Sequence, residues 1–331
     1  MKPTIYDVAK EANVSIATVS KVLNNTGRIG EHTKKRVIST MKDLNYAPSS
    51  VASALTKKQT DSLGLIIPDI SNPFYSEVSR VIEDAAFEKG LTLFICSTDY
   101  NIEKERKYIE LLHRKQVDGY IIASGFKSMD LMKGLIDDTF PIALFAQDSP
   151  TNNFNVISVD DYKGGYLAIN HLLSLGHRNI GVIAEYVNSS KIRLHAYRDL
   201  CDMYGLPVQE KNIKKTIANI TNGEKMMKEL LQQENPPTAV FACNDALAIG
   251  AMKAAREFKL NIPKDVSIIG FDNTILSSTG VPELTTIQQP INEMGKEIVD
   301  AVIHEMRTPE SVKQRKLFTP ALIERESTGE V

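Results

Sequence analysis

Beyond residue 60, short apolar runs alternate with segments of helical periodicity, and this alternation restricts the fold more than any other feature of the chain. A run that is apolar at every position predicts a strand covered on both faces of its sheet. Helical segments between such strands predict parallel sheets. Because there are too many strands for one comfortable sheet, we expect two open α/β lobes. The eight runs lie at 63–70, 91–97, 118–124, 142–146, 156–159, 179–185, 238–244 and 266–272.

The first 24 residues predict two short helices joined by a turn. Thr4, with Asp7 three positions later, predicts the N-terminal cap of the first helix, and Ser15 predicts the cap of the second. Val19 and Val22 give the second helix a buried side. Its other side carries small, polar and cationic side chains at helical spacing: Ala17, Ser20, Lys21 and Asn24, with Ile16 at the N-terminal edge. Such a face fits a major groove, which favours a helix-turn-helix over the alternative of an ordinary helical hairpin in a core.

The distribution of charge supports the helix-turn-helix. The whole chain has a formal net charge of −2, yet residues 1–60 contain ten lysines and arginines against four acidic residues. The rest of the chain holds 29 basic and 37 acidic residues. A basic head is what contact with DNA phosphates requires, because bound cations release counterions.

Two further helices are predicted before the body begins. Residues 31–45 place Val37, Met41 and Leu44 on one side and leave several lysines and an arginine outside, where we expect phosphate contacts. Residues 51–55 predict a single short helix after Pro48, too short to be stable alone in water. This helix therefore needs a partner or a ligand.

The segments IYDVAKEANVSIATVSKVLN and YAPSSVASAL resemble the lactose-repressor (LacI/GalR) family of bacterial transcription regulators. The resemblance implies that the short helix is a hinge that orders on the operator and pushes a leucine, here Leu55, into the minor groove. Ser49 stands where the family usually has Asn, and Lys21 where it usually has Arg. We expect the DNA contacts at Thr4, Ser15, Ile16, Ala17, Thr18, Ser20, Lys21, Asn24, His32, Ser49, Ala52 and Leu55.

The resemblance also implies an all-α helix-turn-helix head followed by an α/β body with the two-lobed fold of periplasmic sugar-binding proteins. The expected domains are a DNA-binding domain at 1–47, a hinge helix and linker at 48–60, and an effector-binding and dimerisation domain at 61–331. Within the last, we expect one lobe at about 61–160 plus 290–320. The other is expected at about 161–289 plus 321–331, with crossings near residues 160, 289 and 320.

A ligand cleft is expected between the lobes, because ligands bind beyond the carboxyl ends of parallel strands. Arg193 matches the pocket arginine of the family, and residue-level matching adds the other members of the expected site: Asn72, Phe74, Asp148, Asn244, Asp272 and Gln289. Amides, carboxylates and a guanidinium suit a hydroxyl-rich ligand such as a sugar. Asn72 and Asp245 fit a helix-capping role equally well. The aromatic residue that the family often places shortly before the glycine matching Gly223 is absent here, and Phe74, Tyr75 or Tyr186 are its candidate substitutes.

These features predict a cytoplasmic homodimeric repressor that binds a pseudo-palindromic double-stranded operator and responds to a small molecule, expected to be a carbohydrate. No catalytic motif, cofactor motif or metal-ligand spacing is present in the sequence, and its longest apolar runs are too short to span a membrane. The ending STGEV is no leucine heptad, which favours a dimer. Three alternatives remain open: an enzyme, a small-molecule binding module without a DNA role, and a family regulator controlled by a phosphorylated carrier protein.

Overall fold

The computed structural model describes residues 3–23, 26–46, 59–123, 126–127, 140–147 and 154–331. Contacts between Cα atoms divide the chain into two compact units, Met1–Thr60 and Asp61–Val331. Each unit is described by itself.

Where the structure describes the first unit, three short helices form a bundle: α1 (Ile5–Glu11), α2 (Ile16–Leu23) and α3 (Glu31–Asp43). The backbone N–H of Thr4 donates to the Asp7 carboxylate at 2.8 Å, so the predicted cap begins α1. A turn with Asn13 at φ 50° then leads into α2. The bundle encloses a small apolar core made by Val8, Ala9, Ala12, Val19, Val22 and Val37.

The first sheet of the second unit contains six strands, all paired in parallel. They are β1 (Ser62–Ile67), β2 (Thr92–Ser97), β3 (Gly119–Ala123), β4 (Ile142–Phe145), β5 (Asn155–Val159) and β11 (Arg315–Phe318). Their spatial order is β11-β5-β4-β3-β1-β2. Every residue of β1, β3, β4 and β5 is buried, as continuous apolar runs predict.

The second sheet also contains six strands: β6 (Ile180–Glu185), β7 (Ile213–Thr216), β8 (Ala239–Ala242), β9 (Ser267–Asp272), β10 (Thr285–Gln288) and β12 (Ala321–Ile323). Their order is β12-β10-β9-β8-β6-β7, and only β12 runs antiparallel to its neighbour among the pairs in the described residues. The two sheets and the three-helix head confirm the predicted fold class.

In the described residues of the second unit, seven helices follow its strands. They are α4 (Pro73–Glu88), α5 (Ile102–Arg114), α6 (Asp161–Ser174), α7 (Asn188–Met203), α8 (Ile220–Leu231), α9 (Asp245–Glu257) and α10 (Ile291–Arg307). Short 3-10 turns lie at Glu210–Asn212 and Ile275–Ser278. Helix α10 packs against α4 and strands β3 to β5, whereas α6 packs against α7 and the strands of the second sheet.

The chain passes between the two sheets three times. It leaves the first sheet after β5 and enters α6, where the Asp160 side chain accepts a hydrogen bond from the Lys163 backbone at 2.9 Å. It returns after β10 through Pro290, and it crosses again between β11 and β12. Each sheet therefore contains a strand from the last 17 residues of the chain.

The residues after β12 remain attached to the second sheet. Ser327 is fully buried, and its Oγ accepts from the Thr285 backbone at 2.8 Å and donates to the Ile268 carbonyl at 2.5 Å. His177 Nε2 lies 3.1 Å from the Gly329 carbonyl oxygen. The end of the chain is thus part of the folded core of this lobe.

Candidate nucleic-acid interface and ligand cleft

Helix α2 presents the expected polar face because its apolar side is anchored in the head. Val19 and Val22 are buried, whereas Ile16, Ala17 and Lys21 are exposed. The Ser15 hydroxyl accepts from the Thr18 backbone N–H at 3.1 Å and so caps the helix. The side chain of Ile16 is 42% exposed, which is an unfavourable position for an isoleucine unless a partner covers it.

The other predicted DNA contacts that the structure describes are at least partly exposed to solvent. Thr4 and His32 are exposed, and Thr18 and Ser20 are partly exposed. Lys21, Arg28 and Lys34 line one groove of about 280 Å³ beside the end of α2. The remaining predicted contacts lie outside the described residues: Asn24, Ser49, Ala52 and Leu55.

In the second unit, the predicted ligand residues meet in a narrow recess between the two sheets. Six of the seven line it, namely Asn72, Phe74, Arg193, Asn244, Asp272 and Gln289, together with Tyr75, Ala146, Glu185 and Ser189. Asp148 lies outside the described residues. The recess holds only about 20 Å³, roughly the space of one water molecule, so it forms the floor of a site rather than the site itself.

Arg193 is held by the protein on several sides. Its Nε and Nη2 both donate to Asp161 Oδ1, at 2.8 and 2.7 Å, and its Nη1 donates to the backbone carbonyl of Cys243. The guanidinium carbon also lies 3.4 Å from the centre of the Phe271 ring. Asp161, which the sequence did not single out, therefore fixes this arginine; its position at the start of α6 was the available signal.

Two of the predicted amides cap helices. The Asn72 side chain accepts from the Phe74 backbone at 3.1 Å at the start of α4, and Asn244 accepts from the Leu247 backbone at 2.8 Å at the start of α9. The capping interpretation therefore holds for Asn72. Both side chains still line the recess, because helices that follow parallel strands begin at the cleft.

Asp245 has a structural role deep in the second lobe. Its carboxylate accepts from the Thr274 backbone at 2.7 Å and from the Thr286 hydroxyl at 2.6 Å. Burial raises its pKa to about 6. The sequence raised a capping role for this residue, but the contacts instead join α9 to the loop after β9 and to β10.

Asp272 and Gln289 form a buried pair in the recess. Gln289 Nε2 donates to Asp272 Oδ1 at 2.7 Å, and both residues are at least 95% buried. Burial, followed by the nearby Asp245 carboxylate, raises the pKa of Asp272 well above its usual range. Asp272 also adopts φ 114°, a strained conformation for a residue with a side chain. Gln289 Oε1 has no hydrogen-bond partner among the described residues.

A larger cavity of about 450 Å³ adjoins this recess. None of the six described residues predicted to bind the ligand lines this cavity. Its wall includes three aromatic side chains, Tyr100, Phe126 and Tyr186, and the residues Ala146, Glu185 and Ser189 line both spaces. Tyr186 was among the candidate substitutes for the missing aromatic residue, whereas Phe74 and Tyr75 line only the recess. Tyr100 was missed; it lies in the left-handed region at φ 57°, next to Asp99 at φ 53°, in the loop after β2.

Glu185 stands where the recess and the larger cavity meet. It ends β6, and although the residue as a whole is partly accessible, its carboxyl group lies among packed atoms. This desolvation raises its pKa, and the Arg193 guanidinium acts in the opposite direction. A signal for this residue was available in the sequence, since a carboxylate at the end of a buried apolar strand faces the cleft.

Within the described ranges, no group of three or more His, Cys, Asp or Glu side chains is placed to hold a metal ion. No helix in these ranges is long and apolar enough to cross a membrane.

Comparison with protein families finds two matching models. Residues 4–49 match "Bacterial regulatory proteins, lacI family", and residues 169–328 match "Periplasmic binding protein-like domain". The transcriptional regulator DegA of Bacillus subtilis is 45% identical over 99% of both chains. Catabolite control protein A of Priestia megaterium is 37% identical over 89% of this chain and 90% of its own.

Solved structures give the same result. A crystal structure of the Lac repressor dimer bound to operator and the anti-inducer ONPF superimposes with a TM-score of 0.89 at 26% identity, over 99% of this chain and 100% of that one. A LacI family transcriptional regulator from Enterococcus faecium with bound ribose gives a TM-score of 0.74 at 31% identity, over 82% of this chain and 99% of that one.

Proposed function

The chain belongs to the lacI family of bacterial regulatory proteins, and from that premise we propose that it is a homodimeric repressor that binds a pseudo-palindromic operator and responds to a carbohydrate effector. Its relatives are transcriptional regulators, and the chain is a DNA-binding transcriptional regulator rather than an enzyme. Under this proposal residues 1–47 bind the major groove, 48–60 form the hinge, and 61–331 bind effector and dimerise.

One observation carries the DNA-binding part of the proposal. The face of α2 with Ile16, Ala17 and Lys21 is solvent-exposed, and the opposite face is fixed in the core of the head. A helix held in this way can enter a major groove without unfolding the domain that supports it. The exposed Lys21 supplies a charged donor for a guanine edge or a phosphate.

The cleft supports the effector part of the proposal. Asn72 and Phe74 approach it from α4 of the first lobe, while Asn244 and Asp272 approach it from the second. A ligand between two lobes changes the angle between them, if it binds one arrangement more tightly than the other. The relative from Enterococcus faecium holds ribose, which favours a carbohydrate here as well.

Selection from a random duplex library, followed by fluorescence titration of the selected site, tests the DNA-binding part. Affinity should fall at least about tenfold between roughly 50 and 200 mM salt, because several cations per head replace counterions. Lys21→Ala should change the base preference at the selected site. Lys107→Ala on α5, an exposed lysine of the body, is the matched control and should leave affinity unchanged.

Three results would contradict the proposal. The first is binding without salt dependence. The second is a loss of affinity in Lys107→Ala equal to that in Lys21→Ala. The third is a selected site without two-fold symmetry, since a symmetric dimer should choose two related half-sites.

A further inference from the structure

The effector cleft has an unusual charge balance. Around Arg193, the single guanidinium of the recess, stand three carboxylates: Asp161, Glu185 and Asp272. Only Asp161 is bonded directly to the guanidinium, at 2.7 and 2.8 Å. If all three carboxylates were ionised, the floor of the cleft would carry an excess of negative charge away from bulk water, which is costly.

Burial raises the pKa of Asp272 and also that of Glu185, because an ionised carboxylate is poorly solvated in the recess. Of these two, Asp272 already accepts a hydrogen bond from Gln289 at 2.7 Å. Glu185 instead lies at the boundary between the recess and the larger cavity, where a ligand can reach it.

The wall of the larger cavity, next to Glu185, suits a positively charged ligand. Tyr100, Phe126 and Tyr186 surround the 450 Å³ cavity, and aromatic faces attract positive charge. The cationic side chain on this wall, Lys127, is exposed, so it can turn to solvent; Asp99 on the same wall is paired with Lys104. Independently, Gln289 Oε1 in the recess is an acceptor without a partner among the described residues, although the residue is 96% buried.

We propose that the effector carries a positively charged nitrogen, as an amino sugar does, and that Glu185 is the residue that selects it. The ammonium group binds the Glu185 carboxylate at the mouth of the recess, and the ring of the ligand lies among the three aromatic side chains. A phosphorylated or carboxylated ligand is rejected, because it cannot form an ion pair with Glu185 and would instead add repulsion between two anions. This inference rests on the proposed function, since it names the ligand class of the same cleft.

Calorimetry with the full chain and matched ligand pairs tests the inference. The probes are glucose, galactose and mannose, each beside its 2-amino derivative and its 6-phosphate, and cyclohexanol beside cyclohexylamine. We expect at least one amine to bind about ten- to hundredfold more tightly than its uncharged parent. The Glu185→Gln protein should lose this preference, so that each amine binds it no more than about threefold more tightly than its uncharged parent does. Glu234→Gln, an exposed acid of the same lobe, should keep the preference.

Proton release on ligand binding gives a second readout. A variant that only distorts the shape of the site would not alter it. An ammonium group stabilises the ionised form of Glu185, so binding should release a proton from this carboxyl into the buffer at any pH at which the carboxyl is protonated before binding. Two buffers with different ionisation enthalpies reveal that release. The titratable groups around Glu185 are the same in both proteins, so the difference between wild type and Glu185→Gln isolates the one carboxyl. These groups are Arg193, Asp161, Asp272, Cys243 and Tyr100.

The outcomes separate this inference from the proposed function. An uncharged sugar or a sugar phosphate that binds as tightly as its amine overturns the charge assignment and leaves a carbohydrate regulator standing. If cyclohexylamine binds and none of the sugars does, the positive charge of the effector is supported and its assignment as a carbohydrate is contradicted. An ammonium preference that survives in Glu185→Gln overturns the role of Glu185, and failure of every amine to bind overturns the inference as a whole. Operator binding is measured separately and depends on none of these results.

Discussion

At the scale of single residues, the cleft shows the difference between a residue that lines a site and one that is free to serve it. The sequence placed Arg193 among the ligand contacts, and the structure does bring it to the recess. Its Nε, Nη1 and Nη2 nevertheless all donate to the protein, two of them to the buried Asp161. Glu185, which the sequence argument passed over, has the more accessible position. The residue type of Arg193 and its position after a strand predicted that it lies at the cleft. They did not predict that its N–H donors already bind Asp161 and the Cys243 carbonyl.

The engagement of Arg193 leads to a stability prediction. Arg193→Ala should lower the free energy of unfolding by about 3–5 kcal/mol, because it leaves the Asp161 carboxylate buried without its partner. Adding Asp161→Asn should restore part of that loss. Arg198→Ala on the same helix is the matched control, since its ion pair with Glu210 is exposed and contributes about 0–1 kcal/mol. Urea unfolding of the four proteins measures these differences. A loss below about 1 kcal/mol in Arg193→Ala, or a double variant no better than the single one, would contradict this account.

At the scale of elements, the sequence predicted strands by their apolar runs and missed those that lack one. Strand β7 reads IKKT and β12 reads ALI; both lie at sheet edges and are only partly buried. Strand β11 is an edge strand of the other sheet. Strand β10 is different, because two of its residues, Thr285 and Thr286, are polar and yet fully buried. Their hydrogen-bond partners are Ser327 and Asp245. Partners so distant in the chain leave no periodic signal.

Helices α8 and α9 cross closely enough to require glycine. A Cβ atom on Gly250 would lie 2.1 Å from the Ile220 carbonyl oxygen, and one on Gly223 would lie 2.4 Å from that of Leu247. Both obstacles are backbone atoms, so neither can rotate away. Only a separation of the two helices would make room for a side chain at either position.

Gly250→Ala should therefore destabilise the protein by about 1–3 kcal/mol or more, although alanine normally favours a helix over glycine. Gly280→Ala is the control, because its nearest obstacle lies 3.5 Å away, an ordinary contact distance. Thermal unfolding followed by circular dichroism gives the comparison. Equal melting temperatures for the two variants would mean that the crossing is looser than described.

At the scale of the whole molecule, a polar contact joins the two lobes across the cleft. The Ile275 backbone N–H, in the second lobe, donates to Glu77 Oε1 on α4 at 3.1 Å. The sequence predicted the cleft and the lobes that form it, because parallel strands direct their carboxyl ends to one edge. It could not predict this contact, which joins residues 198 positions apart.

Glu77→Ala should loosen the lobes without touching the cavity wall. Loss of one exposed hydrogen bond corresponds to about a two- to tenfold increase in the exchange rate of the Ile275 amide hydrogen. Hydrogen exchange measured by mass spectrometry on the peptide around Ile275 tests this, with Glu88→Ala on the exposed end of the same helix as control. Unchanged exchange in Glu77→Ala would mean that the contact is not made in solution.

The three passages between the sheets also determine when the molecule can form during synthesis. Because β11 (Arg315–Phe318) and β12 (Ala321–Ile323) belong to different sheets, a ribosome must pass residue 318 before the first sheet is complete and residue 323 before the second is. The head, whose three helices are adjacent in sequence, has no such delay. Each nascent copy therefore has a folded head attached to an unfinished body. Limited proteolysis of chains stalled before residue 315 should cut the body and spare the head.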